Sequence, residues 1–155
     1  MGPEKLFSAT VVRIVGTLKL AAALAINAAH EIEGLATCLD YFRVLTKEDP
    51  VSARIQAEYD REFPGAALFA AGSAATGMYR GLKLWEAAVK EAGKLERDAV
   101  AAALDHATFA EGPGGPAEMV PGKRHCKMKM YTAIAKSGDY EIVARSNGPV
   151  DPKEC

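Results

Sequence analysis

The sequence predicts an α/β fold in which one short strand and three helices lead into a C-terminal run of antiparallel strands. Three observations predict it. Residues 35–42, Leu-Ala-Thr-Cys-Leu-Asp-Tyr-Phe, are a short apolar stretch bounded by turn residues, which suits a buried strand. Two longer stretches carry helical periodicity with their own start and stop residues. After Phe109 the apolar period changes from helical to two, with Gly- and Pro-rich turns between the segments.

The 155 residues suit one domain by length, and 49% apolar with 25% charged residues places the chain among globular rather than disordered sequences. Nineteen Lys and Arg against 20 Asp and Glu leave no basic stripe, so nucleic acid is not an expected partner.

Residues 10–30 read as a helix, because Ala, Leu and Ile dominate and no breaker follows Gly16. Arg13 and Lys19 interrupt its apolar run, which argues against a membrane span of ~20 nearly uncharged residues. A buried amphipathic helix is the favoured reading. A signal peptide stands as an alternative, with Lys5, Arg13 and Lys19 ahead of a short apolar core at 20–26, although the small-residue cleavage rule fits poorly before His30.

The strand at 35–42 follows. Thr46 or Asp49 then caps a helix that has Pro50 in its first turn and Pro64-Gly65 at its end. Val51, Ile55, Tyr59 and Phe63 share one face of it. The next helix runs from Ser73 to Ala92 with Gly93 at the C-terminal cap, and Met78, Leu82, Trp85 and Val89 are expected as its buried stripe. A third helix spans 96–106, with Glu96 and Asp98 suiting its first-turn dipole. Residues 112–116 read as a turn, 127–136 as one alternating strand, 137–139 as a tight turn and 140–145 as a last strand. In the alternating strand Met128, Met130, Thr132 and Ile134 fall on one face and are read as core. A doubly wound domain repeats strand-helix units to its end. One buried strand makes no sheet, so the chain is expected to be part of a larger fold.

Motifs for chemistry are few. There is no GxSxG elbow, P-loop or GxGxxG, and Asp105-His106 has no partner nucleophile, so no catalytic residue is assigned and an enzyme is not expected. His30, His106 and His125 with Cys38, Cys126 and Cys155 lack the spacing of a zinc site, and no metal or other cofactor is expected. The cysteines read as buried or incidental thiols, with a Cys38–Cys126 bridge as the alternative in an oxidising compartment. The glycines at 112–115 lead into a strand, whereas a phosphate cradle needs helix N-terminal amides.

Two places suit a ligand. Asp40-Tyr41-Phe42 lies at the carboxyl end of the strand, where open α/β sheets bind ligands, and Tyr41 offers a flat wall and a hydroxyl. Thr76 and Tyr79 stand at the start of the long helix, where hydroxyls and free amides meet a polar ligand. The competing readings are core aromatics for the first pair, and a cap with a packed ring for the second.

From Gly34 onward the order of these pieces resembles the periplasmic solute-binding proteins of the branched-chain amino acid, amide and urea group. The strand ending in Tyr41-Phe42, the Asp49-Pro50 helix closing at Phe63-Pro64-Gly65, Gly77-Met78-Tyr79 through Leu84-Trp85 to Ala92-Gly93, the stretch from Phe109 through Gly115-Pro116 to His125, and the exit at Pro149-Val150-Asp151-Pro152 are similar in order and spacing. The resemblance covers 34–153 and implies a type I periplasmic-binding-protein-like α/β fold, incomplete here, in which two lobes close on a ligand. It divides the chain into an apolar segment at 1–33, which does not share the resemblance, and a solute-binding C-terminal part at 34–155. The implied function is the substrate-binding component of an ABC importer for a small polar solute, in the periplasm, with a membrane permease as partner. Ligand contacts would fall on Tyr41, Tyr79, Asp40 and Thr76. One departure stands out: Thr76-Gly77-Met78 precedes Tyr79 where the family usually has an acidic residue, so a carboxylate partner for an amine is missing there. The alternatives are a cytoplasmic amide sensor of the same fold, and a structural protein forming a homodimer through residues 11–29.

Overall fold

The computed structural model describes residues 33–65 and 72–152. The helix expected at 10–30, with the signal-peptide and pairing readings attached to it, lies outside the described residues.

Strand β1, Ala36–Leu39, is shorter than the apolar stretch that predicts it, and only Thr37 of its residues is buried. The ladder ends before Asp40, and the chain turns through Tyr41 and Phe42 into a 3₁₀ turn at Arg43–Lys47. Helix α1, Pro50–Glu62, starts where expected: both Asp49 carboxylate oxygens accept first-turn amides, from Val51 and Ser52. Helix α2, Ser73–Ala92, ends at Gly93 in the left-handed conformation (φ 66°). Helix α3, Arg97–Leu104, follows Glu96 as its cap.

Six strands complete the described fold, all paired antiparallel. β5, Tyr131–Lys136, lies between β1 and β6, Asp139–Arg145. β3, Ala117–Val120, lies between β2, Thr108–Phe109, and β4, His125–Met128. The single strand expected at 127–136 is therefore two strands in two sheets. The break falls at Lys129-Met130, where Ser146 takes over the pairing: its Oγ accepts the Met130 amide and its own N–H donates to the Met130 carbonyl. Tyr131, Ala133 and Ala135 face the core, while Met128 is half-buried and Thr132 and Ile134 lie on the opposite side. The turn expected at 137–139 is a two-residue loop, Ser137-Gly138, both with positive φ, because Asp139 already pairs with Lys136.

Both helical stripes are rotated from expectation. On α2 the inward line is Thr76, Arg80, Leu84 and Ala88, whereas Met78, Leu82 and Trp85 are 67%, 58% and 48% exposed. On α1 the buried residues are Ser52 and Gln56, beside the apolar line rather than on it. The reason is polar. Arg80 and Ser52 have fixed partners inside the fold, and burial without those partners costs several kcal/mol, more than burying one Leu returns (~1.5–3 kcal/mol). Alanines along α2 and α3 then let the two helices approach, and Leu84, Ala88, Val100, Ala103, Ala107 and Ala117 form one core. Tyr41, Phe42, Leu45, Tyr131 and Ala133 form the other, over the β1-β5-β6 sheet.

Cys38 and Cys126 are free thiols, so the bridge alternative is not realised; the two lie in different sheets. Among the described residues no helix is long and apolar enough to cross a membrane.

Gly81 and Gly93 separate two glycine roles. An added Cβ meets nothing within 4 Å at either site, but only Gly93 holds positive φ. Gly81→Ala is expected to raise the unfolding free energy by ~1 kcal/mol through helix propensity, and Gly93→Ala to lower it by ~1 kcal/mol through left-handed strain. Urea unfolding checks this; two changes of the same sign would refute it.

Candidate functional site

The loop at 112–115 is gripped from three elements, α2, the start of α1 and β5. Arg80 of α2 donates from Nε (3.2 Å) and Nη2 (2.8 Å) to the Pro113 carbonyl. Its Nη1 pairs with the Asp40 carboxylate just beyond β1 and touches Met128 Sδ at 3.2 Å. At the start of α1, Asp49 Oδ2 and Ser52 Oγ both accept the Gly114 N–H at 3.1 Å. Tyr131 of β5 donates its hydroxyl to the Gly114 carbonyl at 2.7 Å. Gly114 has φ 75°, and a Cβ there would lie 2.8 Å from the Asp40 carbonyl, so only glycine fits.

Charge follows geometry. The Arg80 side chain is 3% exposed and that of Asp40 12%. A guanidinium so deep is held only with its donors filled. Burial of the Asp49 carboxylate alone would raise its pKa; the hydrogen bonds from Ser52, Gly114 and Val51 outweigh that and hold it below the usual carboxylate value. The Tyr131 phenol is raised, chiefly by burial, with Arg145 opposing, so it stays a donor at neutral pH.

In front of this frame lies a groove of about 320 Å³ between α1 and the first turns of α2. Ile55, Glu58, Tyr59, Arg61 and Glu62 line one wall, and Ala75, Thr76 and Tyr79 the other. Tyr59 stacks at 4.9 Å on Phe63, and Tyr79 lies 6.1 Å from Phe109, so each tyrosine ring is steadied from behind. Charged rim groups already pair, Arg61 with Glu62 (3.0 Å) and Glu58 with Arg54 (3.6 Å). The groove offers two aromatic walls, an aliphatic floor and tyrosine hydroxyls. Its volume falls in the lower range of small-molecule sites.

The four residues singled out in the sequence fall in two places. Tyr79 and Thr76 line the groove, though the Thr76 hydroxyl is satisfied by the carbonyls of Gly72 and Ser73. Tyr41 is 2% exposed within the second core, and burial with the Asp49 charge raises its pKa. Asp40 accepts from Arg80 and from Ser73 Oγ. Sequence reasoning missed Arg80, Asp49 as a loop anchor, and Tyr59. Arg80 stands in line with Thr76, Leu84 and Ala88, but the anion that holds it, Asp40, lies 40 residues away, so the helix alone carries no signal for it.

His106 pairs with Glu91 at 2.8 Å on the exposed surface and His125 is exposed; neither lines the groove. Among the described residues no group of three or more His, Cys, Asp or Glu is placed to hold a metal ion.

The profile of the periplasmic binding protein domain family matches residues 4–155. The chain belongs to that family. Solved structures agree on the fold. A leucine binding protein, LivK, from Thermotoga maritima superposes with a TM-score of 0.61 at 18% identity, over 75% of this chain and 31% of that one. A solute binding protein of an ABC transporter from Rhodopseudomonas palustris BisB5, in complex with 3,4-dihydroxybenzoic acid, gives 0.64 at 25% identity, over 78% and 33%. Another from R. palustris, in complex with benzoate, gives 0.62 at 20%, over 79% and 32%. A search of curated proteins gave no match. This periplasmic binding domain thus has the type I fold and spans about a third of the length of the solved chains it matches. The family match also runs through residues 4–33, the segment that the sequence reading sets apart from the resemblance.

The Asp49 anchor has a pH signature. Its folded pKa lies below the ordinary 3.8, so its contribution is present above that value and disappears as pH falls through the folded pKa. Asp49→Asn, which keeps the capping geometry, is expected to lower unfolding free energy by about 1 kcal/mol at neutral pH. The gap to wild type should narrow between neutral pH and a pH below 3.8. A gap unchanged between the two pH values, measured by urea unfolding, would contradict the anchor.

Proposed function

We propose that this domain is the C-terminal part of the substrate-binding component of an ABC importer, and that its α1–α2 groove supplies part of the cleft for a small polar solute. The observation that carries this reading is the groove itself, with Tyr59 and Tyr79 as facing walls in a family whose solved relatives bind leucine or aromatic acids. Tyr79 is the hydrogen-bonding wall and Thr76 shapes the floor. Asp40 and Tyr41 act from behind, Asp40 by holding Arg80 and Tyr41 by filling the core under the loop. Capture then works by closure of a second lobe over the groove, binding favouring the closed state. The compartment proposed is the periplasm, and the partner a membrane permease.

Asp40 is committed to Arg80 and Ser73, so it is not free to meet a ligand amine. This favours a neutral amide or an aromatic acid over a free amino acid within the polar-solute class. Aromatic walls and the 25%-identical relative holding 3,4-dihydroxybenzoic acid point the same way.

Thermal-shift measurements on the complete protein, with both lobes, in the presence of acetamide, urea, leucine, benzoate and 3,4-dihydroxybenzoate test the reading. A ligand at a hundredfold excess over Kd adds about 2.7 kcal/mol of stability, a Tm rise of several degrees. Tyr79→Ala is expected to abolish the rise, and His125→Ala, remote from the groove, to leave it intact. No shift with any solute, or one that survives Tyr79→Ala, would overturn the assignment.

A further inference from the structure

The chain leaves β6 through Ser146-Asn147-Gly148-Pro149. Ser146 is pinned on three sides. Its Oγ accepts the Met130 N–H (3.0 Å) and donates to the Gly148 carbonyl (2.6 Å), and its own N–H donates to the Met130 carbonyl (2.9 Å). Two residues past Gly148, Val150 donates to the Met128 carbonyl (2.8 Å) in an isolated antiparallel bridge. Asn147 is exposed between these anchors. Among the described residues nothing accepts the Gly148 N–H, and the Asn147 side-chain amide makes no hydrogen bond.

We propose that Asn147 is a site of spontaneous deamidation. The reaction needs a side-chain amide carbon next to a main-chain N–H that no acceptor holds, and room for the two to meet. Asn147-Gly148 supplies each. Glycine has no Cβ to crowd the approach of its nitrogen. The space around Gly148 is open, since an added Cβ would meet nothing within 4 Å. Base removes the Gly148 amide proton, and the nitrogen bonds to Asn147 Cγ. The bond from Cγ to the side-chain nitrogen breaks, and that nitrogen leaves as ammonia. Water then opens the five-membered imide at either carbonyl, giving aspartate or isoaspartate. The balance is one water in and one ammonia out, with no oxidant or cofactor. Asn27, the other asparagine of the chain, precedes Ala28 and lacks the glycine.

The place of the loop gives the reaction a structural consequence. Isoaspartate routes the main chain through the former side chain, which adds one carbon between Ser146 and Gly148. The Gly148 carbonyl then moves off the Ser146 hydroxyl that holds it. The Val150 bridge comes next along the chain, and the Met128 it fixes touches Arg80 Nη1 through its sulfur at 3.2 Å. Deamidation therefore loosens the outer support of the Arg80 frame.

Incubation of the intact chain at mildly alkaline pH, with the tryptic peptide 146–153 followed by mass spectrometry, tests the proposal. That peptide is expected to gain about 1 Da, with isoaspartate among the products. Because the fold holds neither reacting group, the native rate is expected within about tenfold of the rate in the urea-unfolded chain. Gly148→Ala, which the open space tolerates, is expected to slow the gain about tenfold. Asn147→Gln, which would have to close a six-membered ring, is expected to abolish it. The modified wild type is expected to melt at a lower Tm than the fresh protein, and Gly148→Ala to keep its Tm through the same incubation. No gain in the peptide, a gain unchanged by Gly148→Ala, or a native rate more than about tenfold below the unfolded rate would overturn the proposal. So would a modified chain with an unaltered Tm.

Discussion

One buried cation organises the described fold. Arg80 projects from α2 into the space between the two hydrophobic cores, where its guanidinium meets the Asp40 carboxylate, the Pro113 carbonyl and Met128. A charge in that position is stable only while each partner stays in place, because the desolvation penalty is otherwise several kcal/mol. The requirement fixes the rotation of α2, the length of β1 and the path of the 112–115 loop together. The loop is held on its other side by Asp49, Ser52 and Tyr131, so α1 and the β1-β5-β6 sheet answer to the same constraint.

The groove follows from that frame rather than from its own lining. Its walls belong to α1 and α2, two helices joined in the described fold by the loop that both grip. With Thr76 and Arg80 turned inward, Tyr79 stands on the groove side and meets the wall that carries Tyr59. The inward turn also sends Met78, Leu82 and Trp85 outward. The polar interior and the apolar exterior of α2 are two results of one rotation.

Local signals in the sequence located the helices well. Asp49-Pro50 and Gly93 act within a few residues, and the caps they predict are the caps observed. The faces were not legible, because they depend on partners far along the chain. Arg80 and Asp40 are 40 residues apart and Ser52 and Gly114 are 62 apart, and no periodicity in the helix itself reveals either pairing. The same limit explains β4 and β5, which alternate as one strand yet pair with different neighbours. For the groove, Tyr79 and Thr76 were visible as hydroxyls at a helix start. Tyr59 was hidden by its place in an apolar line that reads as core.

The amide hydrogen of Gly114 tests the central constraint most directly. It is buried, donates to both Asp49 and Ser52, and sits one residue from the carbonyl that Arg80 holds. If the Arg80 frame opens only when the domain unfolds, native-state hydrogen exchange at Gly114 will give an opening free energy equal to that of global unfolding. Exchange through a local opening several kcal/mol below the global value, with the cores still protected, would contradict the account.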